Sequence, residues 1–274
     1  MQIDTETPLP LARFDNLRQH VGLIHAISTR HGGVSQGAFA SLNLGRVVGD
    51  NAENVEANHQ RLAEAVGVSR EAMTTTWQVH SNRIVRATRA NAGGMIDKAD
   101  GVVTDVPGLP ITQRYADCTP VLVYDPRRHA AGVAHAGWRG TVAGVAPALV
   151  QAMVEQFDSD PADLVAAIGP AIGPCCYEVG QEVVEAAGAA FAAVRSEVLL
   201  TKESSLNGNG TTNAGRPAVH FDLWRANQWQ FEQAGVRNIE VAGVCTRCQR
   251  DTFFSHRGDH GVTGRFGAVM MLRN

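Results

Sequence analysis

Apolar positions are densest between residues 115 and 145, where two runs, Cys118-Thr-Pro-Val-Leu-Val-Tyr124 and Ala130-Ala-Gly-Val-Ala-His-Ala136, flank a short polar turn. Runs of this length and continuity predict buried strands. If residues 125–129 form a hairpin turn, the strands are antiparallel, and the start of the first lies beside the end of the second. Cys118 then comes near His135.

The rest of the chain alternates between strand and helix periods. Residues 21–29 predict a strand, followed by a loop with paired glycines in which Arg30, Ser35, Ser41 and Asn43 offer donors to an anion or a sugar. Residues 51–66 predict a helix: Val55, Leu62 and Val66 share a face, Asp50 or Asn51 serves as N-cap, and Gly67 stops it. His59 falls on the same face and reads as a packed histidine. Residues 74–86 predict a strand interrupted around Ser81-Asn82, with Trp77 and Val79 on one face and Gln78 and His80 on the other. Further strands are expected at 100–104, 164–168, 239–244 and 268–272, and helices at 181–194 and 221–234. A helix over 141–157 is expected to open at Gly137-Trp-Arg-Gly140, with Pro147 kinking it or marking the start of its regular part. Its N-terminus, close after His135 and Arg139, favours anions. Residues 201–217 have almost no apolar content and predict a mobile insertion within a single domain spanning 1–274.

Composition narrows the class. With 44% hydrophobic and 19% charged residues the chain is an ordinary globular protein, and 24 basic against 27 acidic side chains leave a net charge of -3. No global field recruits nucleic acid or an acidic membrane surface, so an anion must be held by local residues. The acidic, proline-broken N-terminus lacks the pattern of a signal peptide, and no apolar run approaches a membrane span. Five cysteines, an odd number, argue against a disulfide framework and for a cytoplasmic protein with reduced thiols.

The strongest chemical candidates are His80, Cys118 and His135. Imidazole and thiolate suit zinc, and three protein ligands with an open fourth position are the pattern of a catalytic site. The same residues also permit a Cys–His nucleophilic pair of Cys118 and His135, or a core without chemistry. Asp117 can orient a histidine or accept a proton in either active case. Cys245 and Cys248 form a lone C-x-x-C, which by itself is a weak sign of a metal or redox role. Cys175-Cys176 is weaker, because neighbouring side chains on an extended strand point to opposite faces. Arg139, Arg257 and Arg265 lie among small residues where a guanidinium can reach a phosphate or carboxylate.

Several stretches together resemble the YfiH-like family. They are Ser28-Thr-Arg-His-Gly-Gly-Val-Ser35, Ser41-Leu-Asn-Leu-Gly45, Gln78-Val-His80, Ala116-Asp-Cys-Thr-Pro120, His135-Ala-Gly-Trp-Arg-Gly-Thr141, Ile168-Gly-Pro-Ala-Ile172, Cys176-Tyr-Glu178, Phe254-Ser-His-Arg257 and Thr263-Gly-Arg265. That family is labelled laccase-domain or polyphenol oxidase and is described as purine nucleoside phosphorylase. The resemblance implies an α+β fold, a layered α/β/β/α sandwich with mixed sheets, distantly similar to cysteine-dependent toxin deamidases. It implies zinc on His80, Cys118 and His135, phosphorolysis of adenosine, inosine, guanosine and 5'-methylthioadenosine, and deamination of adenosine, for which Asp117 is a candidate proton carrier on its residue type. Catalytic roles then fall to Cys118, His135 and Asp117, and substrate or phosphate contacts to Arg30, Asn43, Gln78, Arg139 and Arg265. Copper fits poorly: multicopper oxidases use H-x-H pairs, and no two of the ten histidines stand two apart. Two rivals remain open: a Cys–His amide hydrolase that edits cell-wall precursors, and a non-catalytic partner-binding module.

Overall fold

The computed structural model describes residues 1–5, 9–202 and 217–274. The central apolar runs are strands β9 (Thr119–Asp125) and β10 (Ala130–Ala136), buried along their whole length. They pair antiparallel as expected, with Ala130 opposite Asp125 and Ala136 opposite Thr119. The Asp125 carboxylate closes the turn by accepting the N–H groups of Arg127 and Arg128.

Around this hairpin lies a six-stranded sheet, in the order β14 (Asn238–Val241), β11 (Val165–Ile168), β9, β10, β7 (Gly101–Thr104) and β5 (Ile84–Arg86). A seven-stranded sheet runs β1 (Gln2–Asp4), β2 (Leu11–Arg13), β3 (Leu23–Ser28), β15 (Phe266–Leu272), β8 (Ile111–Tyr115), β4 (Thr74–Trp77) and β6 (Gly94–Lys98). Both sheets mix parallel and antiparallel pairs. A two-stranded ribbon, β12 (Leu199–Lys202) with β13 (Ala218–Phe221), stands apart. The helices are α1 (Asp15–Arg18), α2 (Ala52–Val66), α3 (Trp138–Val142), α4 (Val145–Phe157), α5 (Gln181–Ala190), α6 (Arg195–Val198) and α7 (Leu223–Gln233).

Side-chain alternation along the strands explains the layers. In β9, Leu122 and Tyr124 join the core between the two sheets, while Val121 and Val123 face the opposite way, onto α4. In β15, Ala268 and Met270 enter the shared core, and Val269 turns to the face covered by Leu62, Ala63 and Val66 of α2. Each sheet thus buries one face against the other sheet and one against helices. The result is the α/β/β/α arrangement of mixed sheets. Burying a side chain such as Leu122 contributes about 2 kcal/mol, and it is the repetition of such positions on both faces that fixes the register.

Local signals also set α2. The Asn51 side chain accepts the N–H groups of Glu53 and Asn54, and Gly67 ends the helix at φ 76°. His59 is buried on that helix, its Nε2 3.1 Å from the Leu44 carbonyl.

Three expectations need correction. Residues 74–86 are two short strands in different sheets, β4 and β5, and His80 lies in the loop between them with φ 62°. Trp77 and Val79 do not bury an apolar face; they are 42% and 45% exposed. The helix expected over 141–157 is broken into α3 and α4 by Gly144 in a left-handed turn at φ 80°, ahead of Pro147. The expected insertion at 201–217 starts with strand residues Thr201 and Lys202, and its residues 203–216 lie outside the described residues.

Candidate metal centre and cavity

The hairpin brings Cys118, just before β9, beside His135 near the end of β10, and the loop after β4 adds His80. The donor atoms of these three residues all lie within 4.8 Å of one another. The rings of His80 and His135 meet edge to face at 4.9 Å between centroids. Gly137 keeps the space beside them open, since a Cβ there would stand 3.0 Å from Cys118 Sγ and 3.1 Å from His80 Cδ2.

Asp100 is the organiser of this centre, and the sequence reading did not single it out. Its fully buried carboxylate accepts from His135 Nδ1 at 3.0 Å, which leaves Nε2 as the ring's other donor atom. It also accepts the backbone N–H groups of Val79, His80 and Ser81, and the Ser81 hydroxyl at 2.8 Å. Those bonds hold the loop in which His80 takes its left-handed conformation. One carboxylate therefore positions two of the three donors. An aspartate beginning a buried strand beside Gly101 was the available signal, but its partners come from residues 20 and 35 positions away.

Electrostatics favour soft, anionic ligation. Burial would raise the Cys118 thiol, yet His135 and His80 bring it down to about 6. Burial would lower His135, yet the Cys118 sulfur and Asp100 raise it to about 9. Asp100, despite burial, is lowered to about 2 by His135 and by the Ser81 bonds. A borderline-soft divalent ion such as zinc suits two imidazoles and a thiolate, so the residues present fit such a metal.

The centre opens into a cavity of about 380 Å³ whose lining includes His80, Cys118 and His135. Arg46, Arg114 and Arg265 line the same space, together with Trp77, Gln78 and His256; the Arg46 guanidinium also pairs with Glu56 at 3.1 Å, and Arg114 Nη2 donates to the Thr76 carbonyl at 3.1 Å. Burial is the main cause that lowers Arg114 to about 10, and Arg46 and Arg265 add a smaller repulsion that a bound anion would relieve.

The other expected site residues have varied placements. Gln78 lines the cavity and pairs through its amide with the backbone of Arg114. Arg265 lines it too, its Nη1 also donating to the Thr263 and Gly264 carbonyls. Asn43, Arg30 and Arg139 do not line it. Asn43 is fully buried and braces the Gly45 and Arg265 backbones. The Arg30 guanidinium is engaged by the Ala40 and Arg250 carbonyls and lies over Phe254. Arg139 is exposed, stacked on Trp138 and paired with Glu182 at 3.3 Å. Asp117 points both carboxylate oxygens at a neighbouring loop system, accepting Thr246 Oγ1 at 2.7 Å and the Arg257 N–H at 2.6 Å. The sequence pattern singles out neither Arg46 nor Arg114.

Comparison with known proteins gives one consistent set of relatives. The family model described as multi-copper polyphenol oxidoreductase laccase matches residues 24–273. The purine nucleoside phosphorylase YlmD of Geobacillus stearothermophilus is 39% identical over 92% of this chain and 91% of its own length. A purine nucleoside phosphorylase of Bacteroides thetaiotaomicron is 34% identical over 94% of this chain and 95% of its own. Among solved structures, the hypothetical protein YfiH of Bacillus licheniformis superposes with a TM-score of 0.88 at 31% identity, covering 99% of both chains.

Proposed function

This chain belongs to the multi-copper polyphenol oxidoreductase laccase family, and on that premise we propose that it is a zinc-dependent purine nucleoside phosphorylase. The observation that carries the reading is the cavity itself, in which the His80, Cys118 and His135 donors and three arginines face one space large enough for a nucleoside. The relatives named for phosphorolysis support it.

In phosphorolysis, phosphate attacks C1' of the ribose as the purine departs, and positive charge develops on the sugar. Arg46, Arg114 and Arg265 bind and orient the phosphate. Trp77, part of the cavity wall and 42% exposed, offers a face for the purine ring. His256, also on the wall, is placed to hold a proton for the departing base. Zinc held by His80, Cys118 and His135 would supply a Lewis acid that polarises a substrate oxygen or activates water. The substrates are adenosine, inosine, guanosine and 5'-methylthioadenosine, with deamination of adenosine as a second activity of the same site. The reaction belongs in the cytoplasm, where thiols stay reduced; among the described residues no helix is long and apolar enough to cross a membrane. Copper, despite the family's description, has no H-x-H pairs to assemble it here.

One geometric fact favours a second reading: Cys118 stands beside His135 at the cavity, as a nucleophile and its base do. The separating experiment incubates zinc-loaded protein with inosine, with and without phosphate. Hypoxanthine release that requires phosphate supports the phosphorylase. A metal-free protein that cleaves amides and is inactivated by alkylation at Cys118 would replace it with the hydrolase.

A further inference from the structure

The remaining four of the five cysteines come together at a second place. Cys175 and Cys176 lie on the turn after Gly173, and Cys245 and Cys248 on the turn after β14; all four sulfurs lie within 4.8 Å of one another. Sequence reasoning discounted the first pair because adjacent residues on a strand diverge. The backbone here is a turn, with the Cys176 N–H bonded to the Gly173 carbonyl, and both side chains reach the same cluster.

We propose that Cys175, Cys176, Cys245 and Cys248 form a second, closed metal site that holds zinc as a tetrathiolate. Sulfurs around zinc, at about 2.3 Å from the ion, stand about 3.8 Å apart along the edges of a tetrahedron. Cys248 Sγ lies 3.6 Å from Cys175 Sγ and 3.4 Å from Cys176 Sγ, so a small expansion admits the ion. The Gly173 N–H points at Cys245 Sγ at 3.3 Å, a donor that stabilises a ligated thiolate. Binding releases the thiol protons to solvent and leaves an anionic centre, and the Lys202 ammonium stands close by, donating to the Pro174 carbonyl at 2.7 Å.

The site's position gives it a purpose. It ties the 173–176 turn to the 245–248 turn, and both are bonded to Asp117: Ile172, beside the first turn, through its N–H, and Thr246, within the second, through its hydroxyl. Asp117 immediately precedes Cys118. The closed site thus braces the frame on which a donor of the open centre is mounted, and Asp117 acts here as a positioning residue.

The test is zinc stoichiometry on full-length protein purified under reducing conditions. The expected contents are two zinc ions per chain in the wild type, one in Cys175→Ser/Cys248→Ser, one in His80→Ala, and none in the combined variant. Cys175 and Cys248 are exposed, so their replacement spares the core. A serine variant that keeps the wild-type zinc content would overturn the proposal, as would a wild type whose zinc is lost entirely in His80→Ala. Should the variants not fold, cobalt titration of the wild-type apoprotein serves instead. Two saturating steps, one with tetrathiolate charge-transfer absorption, support the site, and a single step without it rejects it.

Discussion

The two sulfur-bearing clusters use similar donors to opposite ends. His80, Cys118 and His135 face a cavity, offer three donors, and are positioned by the buried carboxylate of Asp100. The cysteine cluster offers four donors of one kind, two of them on exposed residues, and joins two turns. A centre that must leave room for substrate depends on an outer shell to hold its ligands; a centre that fills its own coordination depends chiefly on its own sulfurs. What distinguishes a working site from a brace is therefore the supporting shell and the open side, more than the donor atoms.

The sharpest way to break that contrast is Asp100→Asn. Loss of the charged acceptor for His135 Nδ1 should weaken metal binding at the open centre by about ten- to a hundredfold and leave the cysteine cluster unaffected. Chelator competition followed separately at the two sites reads this, with circular dichroism as the check that the fold survives. Equal weakening at both sites would mean that Asp100 supports the fold in general.

A smaller effect should come from the arginines that line the cavity of the open centre. Arg265→Gln removes a charge from the proposed phosphate subsite and should raise KM for phosphate by roughly tenfold, the value of one charge-assisted hydrogen bond, with less change in kcat. Arg46→Ala, at an exposed position, should do less. A fall in kcat without a change in KM would remove phosphate binding from the role of Arg265.

The smallest functional effect concerns two histidines outside both clusters. His25 is lowered to about 4 by burial and by Arg13 and Arg18, and its Nε2 accepts the Phe14 N–H, which only the neutral ring can do. His59 is lowered to about 3 by burial and by Arg70. The unfolded chain binds these protons near the ordinary histidine value of about 6.5, so it holds more protons than the native state as pH falls below that point. The stability that neutral burial provides is complete above about 6.5 and is lost progressively towards the folded values. At pH 5 the loss is about 2 kcal/mol from each histidine. Denaturant titrations of His25→Gln and the wild type at pH 7 and pH 5 check it: the variant's stability should fall less. A parallel fall in both would assign the acid sensitivity elsewhere.

The same contrast explains what could be read from the sequence. The β9–β10 hairpin was legible because its apolar runs and its turn are local, and α2 because Asn51 and Gly67 mark its ends. Cys118 and His135 followed from the hairpin, His80 was a candidate from its residue type and its polar strand face, and the family resemblance implied the same three as ligands. The loop conformation of His80 was not legible, since it is imposed by a carboxylate 20 positions away in sequence. Nor was the cysteine cluster, because its turns are brought together by the tertiary fold: Ala171 bridges to Cys245 across the chain. Arg30, Asn43 and Arg139 looked like anion ligands in isolation. Carbonyl, carboxylate and aromatic partners that the sequence does not display hold them away from the cavity.

The central claim is that the open centre is a metal site in which nucleosides are cleaved by phosphate. The most direct measurement follows zinc content and ribose 1-phosphate formation from inosine and phosphate, in wild type and His80→Ala side by side. The wild type should form ribose 1-phosphate in stoichiometric amounts with hypoxanthine, and His80→Ala should lose both one zinc and nearly all turnover. A His80→Ala protein that loses its zinc and still forms ribose 1-phosphate at the wild-type rate would contradict it.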